Sequence, residues 1–180
     1  MRVITGKARG VQLKTLEGNK TRPTADRVKE ALFSVIQFEI QGAKILDLFG
    51  GSGQLGIEAL SRGAQSACFV DFSEDACKII RENLKRTRLE QQGSVVRSDY
   101  LDYLNRCKEK YDIIFLDPPY AEVFLEKSLN RISEIDILQS NGIIITERSA
   151  EKTLDWAPAG FTRSKDYKYG KTLITIFRKE

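Results

Sequence analysis

The sequence contains no histidine, and that absence excludes whole classes of chemistry. Nucleophile systems that pass a proton through imidazole cannot operate here, nor can a His-ligated metal centre form. Cysteine is scarce too. Cys68, Cys77 and Cys107 are odd in number, widely spaced and form no CxxC pair, so neither a disulfide frame nor a zinc site is expected, and no metal of any kind. No apolar run approaches the ~20 residues that cross a bilayer, and residues 1–6 show no signal-peptide core. The expectation is a cytoplasmic protein. Its chemistry must run on carboxylates, backbone groups, aromatics and a bound cofactor.

What is present is ordinary in amount and uneven in placement. The 180 residues, 41% hydrophobic and 30% charged, suit one globular domain. The net charge of +4 conceals a polarity: residues 1–29 hold eight Lys/Arg against two acids, and residues 161–180 hold six against two. The middle of the chain is therefore acidic. Basic ends are expected to meet a polyanion, although scattered solvated charge would read the same way.

The pattern along the chain predicts an α/β protein. Residues 3–4 and 11–13, separated by Gly6 and Gly10, read as a small β-hairpin. Val28, Ala31, Leu32, Val35 and Ile36 form one face of a helix introduced by Pro23 and ended by Gly42. Residues 1–42 are thus a hairpin-and-helix extension, and residues 43–180 a catalytic core. In that core strands are expected at 44–48, 66–70, 94–97, 111–116 and 142–147. Helices are expected at 54–62, from an N-cap at Ser73 to 86, at 100–107 and at 122–135. This alternation implies a mostly parallel, doubly wound sheet. Residues 161–167 and 172–177, flanking Lys168-Tyr169-Gly170-Lys171, add an antiparallel hairpin at the end.

Two motifs carry chemistry. Asp47-Leu48-Phe49-Gly50-Gly51-Ser52-Gly53-Gln54-Leu55-Gly56 joins a strand to a helix, where glycines let a ligand approach the backbone. Asp71, after the next strand, is placed to accept bonds from ribose hydroxyls. The loop also satisfies the GxGxxG pattern of dinucleotide sites. Asp47 favours adenosylmethionine, whose ammonium a strand-end carboxylate could hold. The second motif, Asp117-Pro118-Pro119-Tyr120, follows an unbroken apolar strand. Prolines have no N–H, so carbonyls there lack local competitors. The Asp117 side chain and the Pro118 carbonyl can each accept an N–H of an exocyclic amine, and Tyr120 offers a face for a base.

Together these residues resemble the amino-methyltransferases with an (Asp/Asn)-Pro-Pro-(Tyr/Phe/Trp) motif, and among them the RsmD-type 16S rRNA guanine-N2 methyltransferases of bacteria. The marks of the resemblance are residues 2–10 (RVITGKARG), 22–33 (RPTADRVKEALF), 47–60, 117–120 and the closing Tyr169-Gly170 turn. The resemblance implies a Rossmann-like class I fold and S-adenosylmethionine as cofactor. It implies cofactor contacts at Asp47, Phe49, Gly50, Gly51, Gly53, Asp71, Phe72, Ser73, Asp99 and Tyr100, with Asp99 holding the adenine amino group. Asp99 reads equally well as a helix N-cap. Gly50 departs from the pattern, since relatives usually carry alanine. Catalysis would rest on Asp117, Pro118, Pro119 and Tyr120. The RNA, as 16S rRNA or the small ribosomal subunit, would meet Arg2, Lys7, Arg9, Arg22, Thr24, Arg27, Lys168 and Lys171. A monomer without membrane contact is expected. The alternatives are a DNA adenine or protein glutamine acceptor, a nicotinamide oxidoreductase, and a non-catalytic RNA-binding module.

Overall fold

Short apolar strands alternating with amphipathic helices bury their faces best as helices packed on both sides of one sheet. The computed structural model has this α/β architecture. It describes residues 1–16, 23–118, 121–151, 156–164 and 166–179, with the side chains of 23–25 and 121–122 not described. The elements run α1 (Pro23–Val35), β1 (Lys44–Asp47), α2 (Gln54–Ser61), β2 (Ser66–Asp71), α3 (Glu74–Thr87), β3 (Gly93–Arg97), α4 (Tyr100–Arg106), β4 (Tyr111–Leu116), α5 (Ala121–Ile135), β5 (Leu138–Ser149), β6 (Phe161–Arg163), β7 (Tyr167–Tyr169) and β8 (Thr172–Lys179).

The sheet has eight strands in the order β3-β2-β1-β4-β5-β8-β6, with β7 also on β8. The pairings of β1 through β5 are parallel, and β8 is antiparallel to its neighbours. The chain reverses its winding between β1 and β4, which opens a crevice at the carboxyl ends of those two strands. One core lies on the face that carries Ile45, Phe69, Phe115 and Ile145, packed against Phe33, Ile57 and Ile80 of α1, α2 and α3. The other carries Leu46, Ile114 and Ile144 against Leu104 of α4 and Leu129 of α5. Among the described residues no helix is long and apolar enough to cross a membrane.

The strand read at 111–116 is β4 without a change of boundary, because an apolar run buried on both faces leaves no ambiguity of register. Ser73 caps α3 as expected, its Oγ accepting the Ala76 N–H at 3.3 Å. Other boundaries move. The first helix stops at Val35, well short of Gly42, and Ile36 and Ile40 continue its burial from an irregular turn. The first strand ends at Asp47, where the Leu48 N–H makes the last ladder bond, to the Phe115 carbonyl, before the chain turns into the loop. The strand expected from 142 begins at Leu138 and runs to Ser149, its first part bulged against β4.

The N-terminal hairpin is a looser object than a two-stranded ladder. Arg2 and Gln12 form an isolated bridge, with Val3 N–H on the Val11 carbonyl at 3.0 Å. Its docking relies on α2 instead. The buried Glu58 carboxylate accepts the Ile4 and Thr5 N–H groups at 2.8 and 3.0 Å, and it pairs with Lys29 and Arg62. At the other end, the segment expected as one strand from 161 to 167 is broken. Asp166 accepts from Arg163 at 2.7 Å, Arg148 at 3.1 Å and the Thr175 hydroxyl at 2.7 Å, and β6 and β7 lie end to end along β8 on either side of it. Lys168 and Tyr169 therefore belong to β7, and the turn is Gly170-Lys171.

Candidate active site

A cavity of about 920 Å³ lies at the carboxyl edge, lined by Asp47, Phe49, Gly50, Gly51, Asp71, Phe72, Ser73, Asp99, Tyr100 and Asp117 among others. The glycine loop is built for close approach. Gly51 and Gly53 have φ of 55° and 78°, a region that side chains other than glycine rarely adopt, and Gly53 starts α2. The Gly50 N–H bonds the Val70 carbonyl at 2.8 Å, tying the loop to β2. Gly56 is needed for another reason: a Cβ there would sit 2.3 Å from the Phe69 ring, so only glycine lets α2 pack this closely on the sheet.

The carboxylates divide the work. Asp71 holds the loop in shape, accepting the Gly51 N–H on one oxygen and the Ser73 N–H on the other, both at 2.9 Å. A carboxylate with two such bonds keeps lone pairs for further donors. Asp99 caps α4 through Oδ1, which accepts from Leu101 and Asp102, while the residue also borders the cavity. Asp47 is different. It is 2% exposed, and among the described residues its side chain has one hydrogen bond, a long one from the Gly56 N–H at 3.2 Å. Burial pushes its carboxyl up to about 8, against the pull of that N–H and with help from the charges of Asp117 and Asp71.

Asp117 follows β4 on the same face of the sheet as Asp47, and burial raises it to about 6. Pro118 beside it is buried. Pro119, Tyr120 and Arg22 lie outside the described residues, and Thr24 is described only by its backbone in α1. Two side chains at this edge have no counterpart in the two sequence motifs. Glu147, on β5, stands one position beyond the Leu116–Thr146 pair and so beside Asp117; burial first, and then the Asp117 charge, push it up to about 8. Phe124, 37% exposed on α5, completes an aromatic row with Tyr100 and Phe49, with centroid spacings of 5.5 and 5.3 Å. The signal for Glu147 is its place at the end of the strand next to the motif. Phe124 gives no local signal apart from its position seven residues after Asp117. Phe72 projects at the rim, 73% exposed.

The basic residues fall in three places. Lys168 and Lys171 are exposed on the β7–β8 hairpin, whose turn adjoins Ser149 at the carboxyl end of β5 and thus shares the edge of the cavity. Arg27 is exposed on α1, and Arg2 pairs with Asp26 at 3.6 Å. Lys7 borders a groove with Gly42, Gln65 and Gln92, which precede β1, β2 and β3. It and the neighbouring turn to Gly10 sit at the opposite, amino edge.

Residues 1–178 match the family model described as "Conserved hypothetical protein 95". The chain belongs to this family. Among curated relatives, YlbH of Bacillus subtilis is 39% identical over 99% of both chains. Ribosomal RNA small subunit methyltransferase D of Haemophilus influenzae is 34% identical over 99% of this chain and 93% of its own. The solved structure of YhhF from Escherichia coli superposes with a TM-score of 0.89 at 29% identity, covering 100% of this chain and 98% of that one. This member of the family is a methyltransferase with the class I fold, and S-adenosylmethionine is the methyl donor expected from its motifs. Its residues suit that cofactor. Positive-φ glycines leave room for it, and a buried Asp47 with no cationic partner among the described residues suits an α-ammonium.

Proposed function

We propose that the protein transfers a methyl group from S-adenosylmethionine to the exocyclic N2 of a guanine in 16S rRNA, acting in the cytoplasm as a one-domain enzyme. The observation that carries this reading is the shared cavity of Asp47 and Asp117, which end adjacent parallel strands at the winding reversal. One carboxyl is suited to a cofactor ammonium and the other to an acceptor amine. The names of the small-subunit rRNA methyltransferase relatives support RNA as the acceptor.

S-adenosylmethionine supplies an electrophilic methyl on a sulfonium. Asp47 binds the ammonium, Asp71 the ribose hydroxyls, and Phe49, Phe72 and Tyr100 border the adenine, with Asp99 beside them. An exocyclic amine conjugated to a purine is a weak nucleophile. Asp117 and the Pro118 carbonyl accept its two N–H groups and aim its lone pair at the methyl. Such orientation contributes up to ~7–11 kcal/mol when fully realised. The amine becomes acidic once alkylated, and Asp117, held near 6, is matched to take the released proton at neutral pH. Tyr120 remains the stacking platform on sequence grounds, and a loop base costs less to extrude than a paired one.

The test is transfer of radiolabelled methyl into 16S rRNA or small subunits from cells lacking the modification. Label recovered as N2-methylguanine, and lost with Asp117→Ala while cofactor binding persists, is the expected result. Cofactor binding without label in RNA would redirect the acceptor to DNA or protein.

A further inference from the structure

Asn83 has no part in the chemistry described so far, yet it joins two walls of the cofactor cavity. It lies on α3, fully buried, and uses every hydrogen-bonding group of its amide. Oδ1 accepts the Lys14 N–H at 2.8 Å, while Nδ2 donates to the Lys14 carbonyl at 2.9 Å and to the Ser52 carbonyl of the glycine loop at 2.8 Å. Residues next to these anchors, Thr15 and Leu16 on one side and Gly51 on the other, line the cavity. Two lesser ties reinforce the arrangement: Lys14 pairs with Glu82, and the Arg86 guanidinium donates to the Gln12 carbonyl at 3.1 Å. The N-terminal chain thus leaves its dock on α2 and crosses α3 to reach the cofactor, and Asn83 fixes both its height and its distance from the glycine loop.

We infer that Asn83 is a positioning residue which clamps residues 14–16 as a strap against the bound cofactor and so sets how long the cofactor stays. The inference rests on the cavity being the cofactor site. It goes beyond that reading in giving the N-terminal segment a kinetic role. The strap contributes an apolar surface through Leu16, and a clamped edge slows departure more than arrival, because encounter depends on the open rim rather than on the clamp.

The experiment uses the full chain and S-adenosylhomocysteine as an unreactive probe, with association and dissociation rates from stopped flow. Asn83→Leu keeps the volume and removes all three bonds. It is expected to raise the dissociation rate tenfold or more with association changed less than threefold, and to raise the KM for S-adenosylmethionine more than it lowers kcat. Lys14→Pro deletes the N–H that Asn83 accepts and leaves the sequence of α3 intact, and should reproduce the faster dissociation if Asn83→Leu does not fold. Leu16→Ala supplies the decisive comparison. If Asn83 acts through the strap, its loss and that of Leu16 overlap, and the double variant dissociates little faster than the worse single one. Wild-type dissociation in a folded Asn83→Leu or Lys14→Pro protein, or rate increases that multiply in the double variant, would overturn the inference. Absence of probe binding by the wild-type protein would instead overturn the reading of the cavity itself.

Discussion

Asp117 and Glu147 stand side by side at the ends of β4 and β5, two largely desolvated carboxyls one position past the Leu116–Thr146 pair. Among the described residues neither has a cation in its company, and the Asp117 charge makes the ionisation of Glu147 harder. Their titration belongs to the pair rather than to one residue. Asp117 is the first to ionise, near 6, so methyl transfer should rise with pH through that value. Glu147 is still protonated there, so Glu147→Gln takes away no charge and should leave this limb in place, as single-turnover rates across the neutral and mildly acid range would reveal. A midpoint displaced to lower pH would argue against that order of ionisation.

The same pair gives stability a sign. A carboxyl raised in the folded state binds its proton more tightly there, so its contribution is fully present below the unfolded value and is lost as pH rises to the folded one. For Glu147 that window runs from the ordinary glutamate range to about 8. Thermal melts should show wild-type stability falling across it and Glu147→Gln falling less. Parallel curves would contradict the raised value.

If Asp47 holds the cofactor's ammonium, cofactor binding should release a proton. At pH 7 its carboxyl, held near 8, is mostly protonated in the free protein, and an incoming ammonium favours the ionised form. Calorimetry in buffers of different ionisation enthalpy should report release approaching one proton at pH 7 and little at pH 9. Asp47→Asn should abolish the release and weaken binding by at least tenfold.

Gly50 and Ile80 are fitted to each other. A Cβ on residue 50 would lie 2.8 Å from Ile80 Cδ1 in a fully buried site. Gly50→Ala is expected to cost ~1 kcal/mol or less in urea unfolding, because the close atom is the end of a side chain that can turn away. Ile80→Val deletes the offending methyl, so the double variant should recover most of the loss; additive costs would refute the fit. Gly56→Ala meets the Phe69 ring and has no comparable single rescue.

Glu58 is the anchor of the N-terminal segment. With it gone, Lys29 is left buried without its carboxylate, and the Ile4 and Thr5 N–H groups lose their acceptor. Glu58→Ala should destabilise by ~3–5 kcal/mol in denaturant titration. Adding Lys29→Met should return part of that loss, which a purely local packing defect would not.

If RNA lies across the carboxyl edge, the basic residues should differ in effect. Lys168→Ala with Lys171→Ala is expected to weaken RNA binding and to flatten its dependence on salt, by ~0.7–0.9 in slope for each phosphate no longer neutralised. Lys7→Ala with Arg9→Ala, on the turn at the amino edge, should do less. Equal losses would place RNA around the flank of α2 as well.

The parts legible in the sequence were those whose cause is local. Ser73 before two acids can only favour a helix start, and an apolar run such as residues 113–116 can only be a buried strand. The glycine loop announces itself because Gly51 and Gly53 need a backbone that other residues avoid. What escaped depends on partners distant in sequence. The break at Asp166 requires Arg148 and Thr175 from two other strands. Glu147 becomes part of the site only once β5 is known to lie beside β4. Asn83 resembles any polar residue on a helix until Lys14 and Ser52 arrive at its amide. Asp99 caps α4 and also borders the cavity, so capping does not remove it from the site.

The break at Asp166 also bears on how the protein behaves in a crowded solution. A long, straight outer strand offers a continuous row of unpaired amides and carbonyls, to which another chain can add itself. Here the side of β8 away from β5 is covered by two strands of only three residues each, interrupted at Asp166. The outer margin is too discontinuous to template a foreign strand, so the ion-paired interruption guards against aggregation while the adjoining hairpin stays open at the working edge.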